Sequence, residues 1–162
     1  MKKMLSVLLA IMMIATLALT GCGQNNDPTP DPAPATRTFT DSLGREVTLP
    51  ANLSKIAISG PLAQIVVFAI APEMMVGIAN GWADEAKGLI PDEYYNLPLL
   101  GQLYGGKGEL NLETLLQSGA EVVIDVGEQK DGMADDLNAL QEQTGIPFVH
   151  IDCYTDSMGD TY

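Results

Sequence analysis

The chain has 162 residues, with 21 acidic and 8 basic side chains and a formal net charge of −13 at neutral pH. This length suits a single domain, and such an acidic chain would be repelled by phosphates, which argues against nucleic-acid binding. Only two cysteines are present, so a framework of several disulfides is excluded.

The first 21 residues have the features of a secretory signal. Lys2 and Lys3 precede an uncharged apolar run over residues 4–19, and small residues follow it. This run of 16 residues is shorter than the roughly 20 that a membrane-spanning helix needs. The end of the signal, Leu19-Thr20-Gly21-Cys22, resembles the lipobox of bacterial lipoproteins. That resemblance implies cleavage before Cys22 and acylation of its thiol.

Cleavage before Cys22 would remove 21 residues and leave 141, and the loss of two lysines would change the net charge from −13 to −15. The polar residues after the cysteine are not a stop-transfer flank, which argues against an uncleaved anchor. Prolines at positions 28, 30, 32 and 34 predict an extended, semi-rigid tether over residues 22–37. The predicted location is extracytoplasmic, with the chain lipid-anchored to the cell membrane.

A hairpin and an apolar helix are predicted next. The β-rich stretches 38–41 and 45–49 flank Gly44, which can supply the positive φ of a hairpin turn. Pro61 suits the first turn of a helix, and residues 62–71 are nearly all apolar. A helix that is apolar on all sides is normally buried, so we expect this one to be buried.

From Lys55 onward, strand patterns alternate with helix patterns. Five stretches have the short apolar composition of strands: 56–59, 75–79, 97–100, 121–126 and 146–151. The helices predicted between the later strands are a short one at 84–89, one at 112–118 between the caps Asn111 and Gly119, and an amphipathic one at 131–144 that ends at Gly145. This alternation predicts an α/β fold, a parallel sheet with helices on both faces in a Rossmann-like lobe, preceded by the short β-hairpin.

Ligands of such sheets bind beyond the carboxyl ends of the strands. The loops at those ends are 59–61, 80–82, 103–106 and 127–129.

From about Thr38 to Tyr162 the chain resembles the substrate-binding lipoproteins of ABC importers for iron-siderophores, haem and cobalamin. Four stretches carry the resemblance: the hairpin at 39–50, the strand at 55–59, Leu100-Gly101 followed by Asn111-Leu112-Glu113-Thr114-Leu115, and the strand at 120–124. Each motif is weak alone, and their order behind a lipobox makes them strong together.

The resemblance implies a protein of two α/β lobes that hold the ligand between them. Residues 38–154 would be the N-terminal lobe, and residues 155–162 the start of the interlobe helix, with the second lobe absent from this chain. The implied partners are ABC permease subunits, an iron-chelate or corrinoid ligand, and the membrane through the lipid anchor. No resident cofactor or protein-bound metal is implied, because the iron arrives inside an organic chelator.

Four residues of the lobe have a possible task. The resemblance implies that Glu113 meets an arginine of the permease, although a solvated carboxylate in the first turn of a helix is an ordinary arrangement. Ser59, Trp82 and Tyr104 lie in the loops expected to face the ligand, where aromatic rings suit a large planar or catecholate compound. The two rings could instead cover the end of the core. His150 alternates inside the last strand and is expected to be a core or sheet-face residue.

Two functions remain open at this point. The first is capture of an iron complex or corrinoid and its delivery to a permease. The second is a membrane-tethered interaction lobe with no small-molecule ligand. An enzyme is not expected, because no Ser-His-Asp spacing and no Gly-x-Gly-x-x-Gly after a strand stands out.

Replacement of the predicted lipid-bearing residue, Cys22→Ser, should abolish incorporation of labelled palmitate in cells. Stable anchoring requires more than one acyl chain, so the variant should also move from the membrane fraction to the soluble fraction. Cys153→Ser is the matched control and should be labelled like the wild type. Labelling of Cys22→Ser at the wild-type level would contradict the lipoprotein prediction.

Overall fold

The structure is a computed structural model that describes residues 35–104 and 109–153. Cys22, most of the predicted tether and the predicted start of the interlobe helix lie outside these residues. The strands are β1 (Thr36–Thr40), β2 (Glu46–Pro50), β3 (Ile56–Ile58), β4 (Val122–Gly127) and β5 (Phe148–Asp152). The helices are α1 (Pro61–Ile70), α2 (Asp92–Tyr95), α3 (Leu112–Ser118) and α4 (Met133–Thr144), with 3₁₀ turns at Pro72–Met74 and Asp84–Ala86. None of the described helices is long and apolar enough to cross a membrane.

The central sheet has the order β3-β4-β5, and both pairs of neighbours are parallel. Ala57, Val123 and Phe148 lie side by side across the three strands. Parallel strands need crossover connections, and helices supply them here. The predicted parallel α/β sheet is therefore confirmed.

Helices lie on both faces of the sheet, because successive strand residues point to opposite sides. One face carries Ile56, Ile58 and Val122, and it packs against α1 and the hairpin through the buried residues Val47, Leu49, Ala63 and Val67. The opposite face carries Ala57, Val123 and Phe148, and it packs against α3 and α4 through Leu115, Met133 and Leu137. The two-faced arrangement expected from the sequence is confirmed.

Short-range signals in the sequence located the turns and caps correctly. Gly44 has a φ of +75° in the turn between β1 and β2. The Asn111 side chain accepts a hydrogen bond from the Thr114 backbone N–H at 2.9 Å, and so caps α3. Gly119 and Gly145 end α3 and α4 in the left-handed conformation, at φ +67° and +71°, as C-terminal cap glycines do.

Three predicted elements differ from the structure. Residues 75–79 and 97–100 form only isolated parallel bridges, Ile56 with Met75 and Ile78 with Leu99. The reason lies in their composition: Pro98 has no N–H to donate to a ladder, and a glycine such as Gly77 weakens a strand. Gly77 also packs closely on Leu100, since a side chain there would lie 2.5 Å from its Cγ. The helix expected at 84–89 is shorter, a single 3₁₀ turn at Asp84–Ala86.

The expected burial of the apolar helix was wrong. In α1 the apolar side chains of Ile65 and Ile70 are 61% and 76% exposed, and Leu62 and Val66 are also exposed. A helix in the outer layer of a sheet buries only the stripe that faces the strands. The polar Gln64 is buried, because it accepts hydrogen bonds from two backbone N–H groups, those of Ala79 at 2.8 Å and Asn80 at 3.1 Å.

A buried ion pair shapes the hairpin turn. The Asp41 side chain has no exposed surface and accepts from the Arg45 guanidinium at 2.6 Å. Its other oxygen accepts from the backbone N–H groups of Leu43 and Arg45, each at 3.0 Å. Arg45 also donates to Asn138 of α4 at 2.9 Å. The pair therefore fixes the turn and attaches it to the helical layer.

The same turn covers the outer edge of β5, whose other edge pairs with β4. Unpaired strand edges expose backbone groups that can pair with other chains. Four backbone groups of β5 form hydrogen bonds with the turn. The Phe148 C=O accepts from the Arg45 guanidinium at 2.7 Å, and the His150 C=O accepts from the Ser42 N–H at 3.0 Å. The His150 N–H donates to the Asp41 carboxylate at 3.4 Å, and the Asp152 N–H donates to the Ser42 hydroxyl oxygen at 3.0 Å. The hairpin thus satisfies this edge of the sheet.

Removal of the Asp41 charge should destabilise the domain strongly. Asp41→Asn breaks a buried ion pair and leaves the Arg45 guanidinium without its partner, which costs on the order of 3 kcal/mol. Glu46→Gln makes the same change in net charge at an exposed neighbour and should cost little. Urea unfolding of both variants measures the difference, and equal stabilities would contradict the role assigned to the pair.

The cost of Asp41→Asn should depend on pH. Burial alone raises the pKa of Asp41, but the hydrogen bonds from Arg45 and from the backbone outweigh it and hold the pKa below its ordinary value of 3.8. The stabilisation is therefore complete above about pH 4 and is lost as the pH falls through the lowered pKa. The gap between wild type and Asp41→Asn should be constant between about pH 7 and 5 and should close in stronger acid.

Candidate functional site

Three polar side chains form a row across the carboxyl ends of the central strands. Ser59 directly follows β3, Asp125 lies in β4 and His150 lies opposite it in β5. The Ser59 hydroxyl donates to one carboxylate oxygen of Asp125, and the other oxygen lies 2.7 Å from Nδ1 of His150. Ser59 is 1% exposed and His150 fully buried. The row therefore joins all three strands through one carboxylate.

The order of these contacts does not match that of a nucleophilic site. In a catalytic triad the histidine contacts the serine and takes its proton, and the acid lies behind the histidine. Here Asp125 is in the middle and both other side chains bind to it. Nε2 of His150 is buried and has no hydrogen-bond partner among the described residues. The burial of His150 in the sheet confirms the expectation from its strand position.

A cavity of about 150 Å³ opens at this end of the sheet. Its walls come from the end of β3 and the start of α1, the loop after β4, Tyr104, and Met133 of α4. A Cβ atom added to Gly60 or to Gly127 would meet no heavy atom within 4 Å, so both backbones are open to a ligand. The cavity lies where ligands of parallel α/β sheets bind.

Tyr104 and Lys130 form one side of this cavity. The Tyr104 hydroxyl donates to Asp136 of α4 at 3.3 Å. The Lys130 ammonium lies 4.7 Å from the centre of the tyrosine ring, within the range of a cation–π contact. Burial and the adjacent carboxylate of Asp136 raise the pKa of Tyr104 to about 12, so the phenol stays neutral in the physiological range.

Trp82 lies apart from this group and is not among the residues that line the cavity. Its ring is 5.0 Å from that of Phe68 in α1, and its Nε1–H donates to the backbone oxygen of Tyr94 at 3.1 Å. These contacts are those of a ring that covers the core, which was the alternative left open by the sequence. The structure thus brings Ser59 and Tyr104 together and leaves Trp82 outside.

Glu113 is exposed in the first turn of α3. Its carboxylate accepts a hydrogen bond from Gln117 one turn later, at 3.2 Å. Neither residue lines the cavity. The carboxylate is therefore accessible to a partner protein and is separate from the candidate ligand site.

Sequence reasoning missed two residues of the site. Asp125 was part of a clear buried strand, and the signal that marks it is a charged residue inside an otherwise apolar run, since buried acids need partners. Lys130 lies one residue beyond the loop 127–129 that was expected to face the ligand. The described residues contain no group of three or more His, Cys, Asp or Glu that could hold a metal ion.

Neither a protein-family model nor a curated protein matches this chain. Several solved structures do match this chain. An ABC transporter solute-binding protein from Sulfurospirillum deleyianum is 20% identical, with a TM-score of 0.60 over 72% of this chain and 36% of that one. A periplasmic solute-binding protein from Veillonella parvula is 20% identical, with a TM-score of 0.57 over 75% and 36%. The molybdate periplasmic binding protein MolA of Haemophilus influenzae is 24% identical, with a TM-score of 0.55 over 76% and 36%.

The described domain therefore has the fold that occurs in the solute-binding proteins of ABC transporters. The chain spans about 36% of the length of these solved structures. All three are solute-binding or molybdate-binding proteins.

Removal of the central carboxylate of the row should destabilise the sheet. Asp125→Ala leaves the buried Ser59 hydroxyl and the His150 ring nitrogen without their partner, which costs about 3 kcal/mol. Asp135→Ala removes the same charge from an exposed position of α4 and is the control. Thermal unfolding measures both variants. An Asp125→Ala protein as stable as the control would show that the row does not hold the strands.

Proposed function

We propose that this chain is the solute-binding component of an ABC importer. It captures an iron complex, either a siderophore or haem, or else cobalamin, outside the membrane and delivers it to the permease. The observation that carries the proposal is the cavity at the carboxyl ends of β3 and β4, in a domain whose fold is that of ABC-transporter solute-binding proteins. The resemblance to importers of iron complexes and corrinoids supplies the ligand class.

The setting of Tyr104 supports a ligand with a flat face. Burial and the neighbouring carboxylate of Asp136 raise the pKa of the phenol to about 12, so the ring is neutral. The hydrogen bond from its hydroxyl to Asp136 holds the ring in place. A fixed neutral aromatic ring suits the flat face of a catecholate, haem or corrin.

Five residues take the proposed roles. Ser59 and Tyr104 contact the ligand from the cavity, and Trp82 contacts the part of a large ligand that extends beyond it. Glu113 docks the domain onto an arginine of the permease, through an exposed carboxylate that no other described residue neutralises. Acyl chains on Cys22 hold the protein at the membrane, and the tether at 22–37 lets the folded domain extend away from the membrane surface.

One observation favours the alternative, a tethered interaction lobe with no small-molecule ligand. The outer face of α1 exposes Leu62, Ile65, Val66 and Ile70, and α1 contains no charged residue. Exposed apolar patches mark protein contacts. In this alternative the cavity stays empty and α1 is the functional surface.

The resemblance implies a ligand held between two lobes, so this lobe alone should bind it poorly, and the test uses the complete protein with both lobes. Calorimetric titration of that protein with ferric siderophores, haem and cobalamin separates the two functions. The proposed function predicts saturable binding of one class, weakened by Tyr104→Ala and unaffected by Glu113→Ala. Uptake by cells should be slower with Glu113→Ala, because the docking carboxylate is lost, and normal with the exposed control Glu142→Ala. Absence of binding to all three classes would favour the interaction lobe. A loss of affinity in Glu113→Ala would instead place Glu113 at the ligand site.

A further inference from the structure

The ammonium group of Lys130 has no carboxylate partner in the part of the chain that the structure describes, although the protein is acidic. Within residues 35–104 and 109–153 it forms no ion pair, although Glu128 and Asp131 are close in sequence. Its Nζ lies over the Tyr104 ring instead, and both side chains line the cavity. The positive charge of Lys130 is therefore not neutralised by an ion pair with any described residue.

The other charged groups of the cavity leave Lys130 available. Both oxygens of Asp125 are occupied, one by Ser59 and the other by His150. Glu128 and Lys130 are both exposed to water, which screens the attraction between their charges. An ammonium has three donor hydrogens, and a ring face engages only one side of it. N–H donors of Lys130 therefore remain for a ligand, and they bind an anionic oxygen most strongly.

We propose that Lys130 selects the ligand by charge: it binds an anionic oxygen, a carboxylate or a catecholate oxygen of the chelator, while the Tyr104 ring supports the adjacent flat part of the ligand. This inference rests on the proposed function and narrows it to anionic chelates. Tyr104 serves as a platform because its hydroxyl is directed to Asp136. The open backbone at Gly60 and Gly127 gives such a ligand close access to the cavity walls.

The test compares two ferric complexes of different charge, a trianionic tris-catecholate and a neutral trihydroxamate. The full protein, purified in detergent from membranes, is titrated with each complex at low and at high salt. Lys130→Gln removes the charge and Lys130→Arg keeps it. Lys87→Gln removes one positive charge at an exposed residue outside the cavity, so it reports the effect of net charge alone.

We expect Lys130→Gln to weaken tris-catecholate binding about tenfold or more at low salt, the scale of one lost charge-assisted hydrogen bond. Binding of the tris-catecholate to the wild type should weaken at high salt, and Lys130→Arg and Lys87→Gln should bind it nearly as the wild type does. If Lys130→Gln weakened the binding of both complexes equally, or of neither, the role of Lys130 would be overturned and the proposed function would stand. Tighter binding of the neutral complex than of the tris-catecholate by the wild type would also overturn the role of Lys130 alone. Binding of neither complex to the wild type, with haem and cobalamin also inactive, would overturn both proposals.

Discussion

The buried carboxylate of Asp41 is the contact on which the arrangement of the hairpin and the sheet depends. It neutralises the Arg45 guanidinium, holds the turn between β1 and β2, and accepts from the backbone N–H of His150. A buried charge is costly unless it is paired and hydrogen-bonded, and here each oxygen has several donors. The hairpin can therefore lie against β5 only in the register that supplies those donors.

The same strand continues this network to the candidate site. The backbone of His150 is bound by the turn, while its side chain contacts Asp125, and Asp125 in turn accepts from Ser59. Each step joins one strand or turn to the next. The wall of the cavity at Ser59 is thus fixed by contacts that begin at Asp41, outside the sheet. Such support holds the cavity wall in place without a ligand, and preorganisation of this kind reduces the cost of binding.

The fold and the cavity give different kinds of information about function. The domain has the fold that occurs in solute-binding proteins of ABC transporters, and the sheet topology places the cavity at the strand ends. Neither identifies a ligand, because ligand chemistry resides in side chains that a fold does not dictate. The candidate groups at this cavity are the neutral phenol of Tyr104 and the ammonium of Lys130, which has no ion pair among the described residues.

The sequence by itself determined the features that depend on neighbours along the chain. The turn at Gly44, the cap at Asn111 and the helix ends at Gly119 and Gly145 all agree with the structure. Backbone conformation at such positions is set by one or two residues, since a positive φ requires glycine and an orphan N–H requires a nearby acceptor. The alternation of strands and helices likewise sufficed for the parallel sheet.

Only the tertiary structure decided which residues meet across long distances in sequence. Asp125 lies 25 positions from His150 and 66 from Ser59, and no local pattern records that they share one end of a sheet. The exposure of Ile65 and Ile70 could also not be predicted from the sequence, because composition shows that a helix is apolar but not how many of its sides other elements cover. Contacts of this kind depend on the register of strands and the packing of layers, which the whole chain sets together.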